Sequence, residues 1–369
     1  DRYTTRQQQQ QQHHDSQDSR NLRCHGCRRN ISFRAIVAST AHLEDPGRLT
    51  PSERFVSPRS ARSENISVVT GDPLDKDQVL SLTKDVDIIV SCIGLHKYQA
   101  KYWAQTWPAI VGNLLAATTQ AGRTGRLVFC DNLYAYGGGH TNALSPKTPT
   151  VEPSFRTKPG VRSHIRMALE AHMKEYPGTL SVVGGADFFG PHVTMNSFLG
   201  DTMTGKILQG QAPLAVGSAT VVHDFCFVPD FAAAMAKACT DDRTLDRFWI
   251  CPHTIHGKTL TQIAQDIATI VNRKAAGVGS DPQTPPMKMF VLPPLLVYLL
   301  SPFMDFMWEM IEMLPFWTND YKVDDSDFIE TFGVQATPYE QALGELVAFY
   351  QTKDDSNINA QKDAGDPEH

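Results

Sequence analysis

The chain has 369 residues, 41% hydrophobic and 20% charged, long enough for one large α/β domain or two smaller ones around a sizeable core. That composition excludes collagen, coiled coils and wholly disordered chains. With 34 Lys and Arg against 40 Asp and Glu, the formal net charge of -6 argues against general nucleic-acid binding. The seven cysteines are mostly scattered and odd in number, which suits a reducing compartment rather than a disulfide scaffold.

Charge is unevenly spread: residues 1–66 hold eleven Arg, no Lys and seven acids, a net of +4. Together with the glutamine run at 7–12, this makes residues 1–30 read as a disordered, low-complexity lead-in. The rival reading is an Arg- and Ser-rich transit peptide, which would send the protein to an organelle. No signal-peptide core is visible, so the cytoplasm is the expected compartment. The chain opens on Asp1 rather than Met, and a missing N-terminus or a faulty translation of this stretch is also open. Cys24 and Cys27 have the spacing of half a zinc site, but no second pair completes it, and no metal is expected.

Order begins near residue 33. Residues 33–38 read as a strand, and 66–70 as a second that ends at Gly71 and Asp72. Residues 86–92 form a third, β-branched and mostly apolar, as a strand covered on both faces should be. Residues 102–121 read as a helix, with Trp107, Ile110, Val111, Leu114 and Leu115 at helical spacing and Gly122 suited to its end. A strand at 126–130, a helix at 163–176 and a strand at 180–183 follow. Strands alternating with helices imply right-handed βαβ units and a parallel sheet.

Ligands of such a sheet lie beyond the carboxyl ends of its strands. Three ends stand out: Gly71-Asp72, Ser91-Cys92-Ile93-Gly94 and Asp131-Asn132-Leu133-Tyr134. Asp72 could accept a hydrogen bond from an adenine amino group, and Ile93 and Gly94 would let a dinucleotide approach the backbone. Gly, Asp and Asn are also common in ordinary turns, but the three ends together favour a cofactor cleft.

At these residues the chain resembles a family. Val69-Thr70-Gly71-Asp72, Val90-Ser91-Cys92-Ile93-Gly94 and Phe129 through Gly137 are similar to the atypical or extended short-chain dehydrogenase/reductases, in particular the NAD-dependent epimerase/dehydratase-like proteins. Asp187-Phe188-Phe189-Gly190-Pro191, Asp224 through Asp230, Val323 through Ser326 and Phe332 through Pro338 fit the same pattern. The resemblance spans about residues 33–350. It implies a Rossmann-type doubly wound α/β sheet binding NAD or NADP, with a smaller C-terminal substrate part. The expected division is 31–250 for the dinucleotide-binding domain, 251–352 for the substrate part and 353–369 for a disordered tail. The resemblance places Asp72 near the adenine, and Cys92, Ile93, Gly94 and Asn132 along the cofactor. Tyr134 would sit near the nicotinamide, with Phe188, Phe189 and Gly190 walling that end.

Two departures matter. The family opens with a strand and a Gly-x-x-Gly-x-x-Gly turn that holds the pyrophosphate at a helix N-terminus, and no such motif occurs here. Residues 33–38 match the family's second strand, so the first strand and its helix are expected to be missing. The family's Tyr-x-x-x-Lys pair is absent as well, since none of the ten tyrosines has Lys four residues on. At its place the chain carries Lys158 and Arg162, as an atypical subgroup does.

Candidate catalytic groups are therefore Tyr134 as proton donor, Asp131 as an orienting acid, and Lys158 and Arg162 as holders of a phosphate or carboxylate. A packed aromatic ring and a solvated helix start are the plain alternatives. His140 and His164 are weaker acid/base candidates, and Asp230 reads as a helix N-cap. The apolar run 287–317 is broken by prolines and charges, too short to span a bilayer. It reads first as a pocket wall, and second as a membrane-surface contact or a homodimer contact. Two functional classes remain. One is an oxidoreductase moving a hydride between a nicotinamide and a secondary alcohol or ketone of a small metabolite, a sugar nucleotide among them. The other is a catalytically silent dinucleotide-fold protein that senses cofactor or binds a partner.

Overall fold

The computed structural model describes residues 36–38, 69–120, 125–276 and 284–364. The lead-in, Cys24, Cys27 and Gly122 lie outside the described residues. In chain order the strands are β1 (Ile36–Ala38), β2 (Val69–Gly71), β3 (Ile88–Ser91), β4 (Arg126–Asn132), β5 (Leu180–Gly185), β6 (Asp187–Phe189), β7 (Leu214–Val216), β8 (Phe225–Phe227), β9 (Arg247–Ile250) and β10 (Phe290–Leu292). The helices used below are α1 (Lys76–Thr83), α2 (Ala100–Thr118), α3 (Lys158–Glu175), α4 (Val228–Thr240), α5 (Leu260–Ala276), α6 (Pro294–Leu300), α7 (Asp305–Ile311), α8 (Leu314–Thr318), α9 (Ser326–Phe332) and α10 (Tyr339–Ala364).

Every ladder between these strands is parallel. β3, β4, β5 and β9 form a four-stranded sheet in that order, and β1 pairs with β2 separately. In a doubly wound sheet read 3-2-1-4-5-6, the pair stands at positions 3-2 and the larger sheet begins at position 4. Among the described residues no strand joins the two pieces. Consecutive β4 residues Leu127, Val128 and Phe129 are all fully buried because helices cover both faces. On one face α2 and α3 bring Trp103, Trp107, Ile110, Val161, Ile165 and Leu169 against Leu127, Phe129 and Val182. On the other, Phe231, Ala234, Met235 and Ala238 of α4 pack on Val128, Val183 and Trp249. A third core joins β6, β7 and β8 to the C-terminal helices through Phe189, Phe225, Phe316, Leu343 and Leu346.

Boundaries differ from expectation for local reasons. Helix α3 starts at Lys158 rather than 163, because Thr157 Oγ1 accepts the Gly160 N–H at 3.1 Å and Pro159 lies in the first turn, where no donor is needed. Strand β4 continues to Asn132 because Asp131 and Asn132 stay in register with Gly184 and Gly185. The tail expected to be disordered from 353 is instead helical to Ala364. Ala342, Leu343, Leu346, Val347 and Tyr350 anchor α10 in the core, and each further residue then needs only one added hydrogen bond to extend it. Asp230 is not an N-cap: Phe227 holds that position, and the Asp230 carboxylate accepts from the Thr254 hydroxyl, the Thr337 N–H and the Thr337 hydroxyl at 2.7–2.9 Å. It ties α4 to two loops.

Candidate active site

The ends of β2 and β3 open on a cavity of about 250 Å3 lined by Gly71, Asp72, Ser91, Cys92 and Ile93. That is below the roughly 300–1,000 Å3 of a site enclosing a whole ligand, so it has room for part of a dinucleotide. Asp72 Oδ1 accepts the Leu74 N–H at 2.9 Å and fixes its own turn. Around Gly94 nothing lies where a Cβ would point, so the backbone there is open to an incoming group. Ser91 is in register with Phe129, which sets Cys92 beside Cys130. Val79, Leu82, Ile89 and Leu114 complete the lining with apolar side chains, and a glycine cradle for a diphosphate is not found among the described residues.

One step along the sheet, Asn132 caps the short 3-10 turn Leu133–Tyr136, its Oδ1 accepting the Tyr134 N–H at 3.2 Å. That turn delivers the Tyr134 ring against Phe316 at 5.3 Å and roughly parallel to Trp103 at 6.4 Å. The Tyr134 hydroxyl lies 3.4 Å from that of Tyr98. Burial pushes both phenols well above their ordinary pKa, so both stay protonated near neutrality.

Behind Tyr134, buried Asp131 gives one oxygen to the Asn132 N–H, and Arg162 Nη1 lies 3.3 Å from it. Burial raises the Asp131 pKa against the pull of Arg162. The guanidinium stacks over Trp107 at 4.2 Å, and its Nε and Nη1 have no hydrogen-bond partner. A buried cation with free donors is the kind of group that waits for an anion or a carbonyl. Lys158 is differently placed. Its fully buried ammonium lies 2.6 Å from Glu309 Oε2 and 2.5 Å from Glu312 Oε1, over the Tyr98 ring at 4.4 Å. Its charge is thus already met from within the chain.

Phe189 is buried, Phe188 packs on Phe231 at 4.9 Å, and Gly190 has φ +138°, where a Cβ would meet the Phe227 ring at 3.0 Å. Beside them His223 Nε2 bonds Asp187 Oδ2 at 2.6 Å, and its ring stacks on Trp317 at 4.1 Å. Its Nδ1 and the buried Tyr321 hydroxyl lack partners. His140 donates to the Tyr136 carbonyl, and His164 rests on Phe155, so the structure brings neither to Tyr134.

Cys226, Cys251 and His253 cluster closely enough to suggest a metal site. Both His253 nitrogens are nevertheless in use: Nδ1 donates to the Cys251 carbonyl and Nε2 accepts the Ala186 N–H. This tautomer leaves no lone pair for an ion.

Sequence reasoning missed Tyr98, the Asp187–His223 pair and the two glutamates. Tyr98 sits four residues past Gly94, a signal in plain view. Glu309 and Glu312, three apart in an apolar run, signalled an inward charged face. No sequence feature linked Asp187 to His223.

The model of the family described as "NAD dependent epimerase/dehydratase family" matches residues 40–251. No curated protein sequence matches the chain. Among solved structures, the fold is similar to dTDP-glucose 4,6-dehydratase from Bacillus anthracis in complex with NAD, at TM-score 0.63 and 16% identity, covering 81% of this chain and 84% of that one. It is also similar to UDP-glucose 4-epimerase from Thermotoga maritima with UDP-glucose, at TM-score 0.62 and 14% identity, covering 86% and 91%. RMD from Pseudomonas aeruginosa, complexed with NADPH, shares the fold at TM-score 0.57 and 13% identity, covering 78% and 90%. With the parallel sheet, the strand-end cleft and a family match over more than half its length, this chain belongs to the NAD-dependent epimerase/dehydratase family.

Proposed function

We propose that the protein is an NAD(P)-dependent oxidoreductase acting on a secondary alcohol or ketone of a small metabolite, with a sugar nucleotide as the first substrate class to test. The observation that carries this reading is the Tyr134 hydroxyl beyond the end of β4, paired with Tyr98 at 3.4 Å. Asp72, Cys92, Ile93, Gly94 and Asn132 would hold the dinucleotide, with Phe188, Phe189 and Gly190 at its far end and residues 251–352 as the substrate part. When bound, the reduced nicotinamide supplies a hydride. Tyr134, kept protonated by burial, gives its proton to the substrate oxygen, and Tyr98 hands one back. Arg162 directs its free N–H groups toward that oxygen or a neighbouring anion, and Asp131 holds the guanidinium in place. Lys158 acts through position, fixing Tyr98 beneath its ammonium.

Titration of the full chain with NAD and NADP by calorimetry tests this directly. Heat with one of them, followed by loss of nicotinamide absorbance when its reduced form is mixed with a keto-sugar nucleotide, is the expected result. No heat with either cofactor would overturn it.

A specific observation favours a second reading. Lys158 is spent on Glu309 and Glu312, and burial raises the Tyr134 pKa by more than the Arg162 charge lowers it, away from the working range of an acid/base catalyst. Cofactor heat without turnover would make the protein a dinucleotide sensor.

A further inference from the structure

Helices α6 and α7 form a hairpin whose outer surface is apolar. Phe303 at the turn is 84% exposed, Leu295 on α6 is 70% and Trp308 on α7 is 62%. Tyr298, Leu299 and Phe306 are also exposed, while Val297 and Met310 are the residues that face the core. Helix α6 has no polar face at all, a pattern that ordinarily belongs to a buried helix. We infer that this hairpin is a docking surface for an uncharged lipid interface, into which it inserts partway.

Charge is the first argument. From Met289 to Met304 there is no charged residue, with Lys288 and Asp305 at the two flanks. The surface therefore offers no basic patch for anionic headgroups; of the two acids on α7, Glu309 is turned inward to Lys158 and exposed Asp305 stands at the rim. Its hydrogen-bonding capacity is equally poor, since Ser301 Oγ already donates to the Tyr298 carbonyl. What remains are Tyr298 and Trp308, the two residue types that put an apolar ring and one polar atom at a membrane boundary.

Shape is the second argument. At about 100° per residue, Leu295, Leu296, Tyr298 and Leu299 spread over about 160° of α6. Phe306 and Trp308, two residues apart, lie on opposite flanks of α7, and Phe303 caps the apex. A second copy of this chain would meet one flank of such a ridge, whereas lipid wraps all of it. Length is the third. Seven residues rise about 10 Å, far short of a bilayer core and equal to the roughly 5–10 Å depth of an interfacial helix. No helix among the described residues is long and apolar enough to cross a membrane.

Flotation of the full chain with phosphatidylcholine vesicles tests the inference. The protein should rise with the vesicles and stay bound in about 0.5 M NaCl, where exposed charges are screened. Tryptophan emission should shift to the blue, because Trp308 is the exposed member of five, the others being buried. Phe303→Glu should cut the bound fraction at least tenfold with an unchanged thermal midpoint, and Leu299→Glu repeats the test should the first variant unfold. Failure to float, or binding only to anionic vesicles with release by salt, would overturn the inference. So would a concentration-dependent dimer in ultracentrifugation that Phe303→Glu dissociates, which would make a second copy the occupant.

Discussion

Tyr134 shows how burial decides what a single side chain can do. Its raised pKa keeps the phenol protonated near neutrality, so under the proposed function it can give a proton to a substrate oxygen but cannot take one up. Tyr134→Phe should leave cofactor heat unchanged and lower kcat about 100-fold or more, as loss of a general acid does. Two histidines make a second case. His256 lies 3.1 Å from Asp224 and 3.2 Å from Asp325, which raise its pKa to about 10. A pKa raised on folding contributes stability that is complete below the unfolded value of about 6.5 and lost as pH climbs toward 10. Buried His253 is lowered to about 4, so acidification from about 6.5 to 4 favours the unfolded chain. Urea unfolding across this range should give a dome with its maximum near pH 6.5. His256→Gln should flatten the alkaline limb, by less than the full shift because the ring is partly in water.

Among the elements, the contact of α7 and the residue after it with α2 and α3 is electrostatic at its centre. Glu309 accepts the Ala100 N–H at the start of α2 and the Lys158 ammonium, and Glu312 takes the Lys158 N–H at the start of α3. Two helix N-termini are thereby capped by carboxylates from far along the chain. Removing the cation leaves two partly buried anions facing each other. Lys158→Met should therefore lower stability by about 3 kcal/mol, and adding Glu309→Gln and Glu312→Gln should restore much of it. Denaturant curves of the single and triple variants decide this; equal stability of the single variant and the parent would refute the clamp.

For the whole molecule, the cleft depends on strand ends of two separate parallel sheets meeting at one place. Gly71, Asp72, Cys92 and Ile93 meet at one cavity, and Tyr134 follows from the next strand. If that cleft takes NAD, saturating cofactor at about 100 times its Kd should stabilise the fold by about 2.7 kcal/mol, read as a rise in thermal midpoint. Asp72→Ala should shrink the rise and, by losing the bond to the Leu74 N–H, lower the unliganded stability by about 1 kcal/mol. A midpoint that ignores both cofactors would remove the binding reading altogether.

The sequence alone was enough for the strand–helix alternation, because strands covered on both faces must be apolar throughout and the helices between them must carry an apolar stripe. It was enough for the strand-end residues too, since Gly, Asp and Asn cluster where a chain leaves a parallel strand. Helix starts were less legible: Thr157 capping Gly160 is a local bond that a hydrophobic pattern does not see. The partners of Lys158, the Asp187–His223 pair and the outward face of α6 were decided only by the tertiary structure. Each depends on which distant segments pack together, and long-range packing is set by shape and burial across the whole chain rather than by any spacing within it.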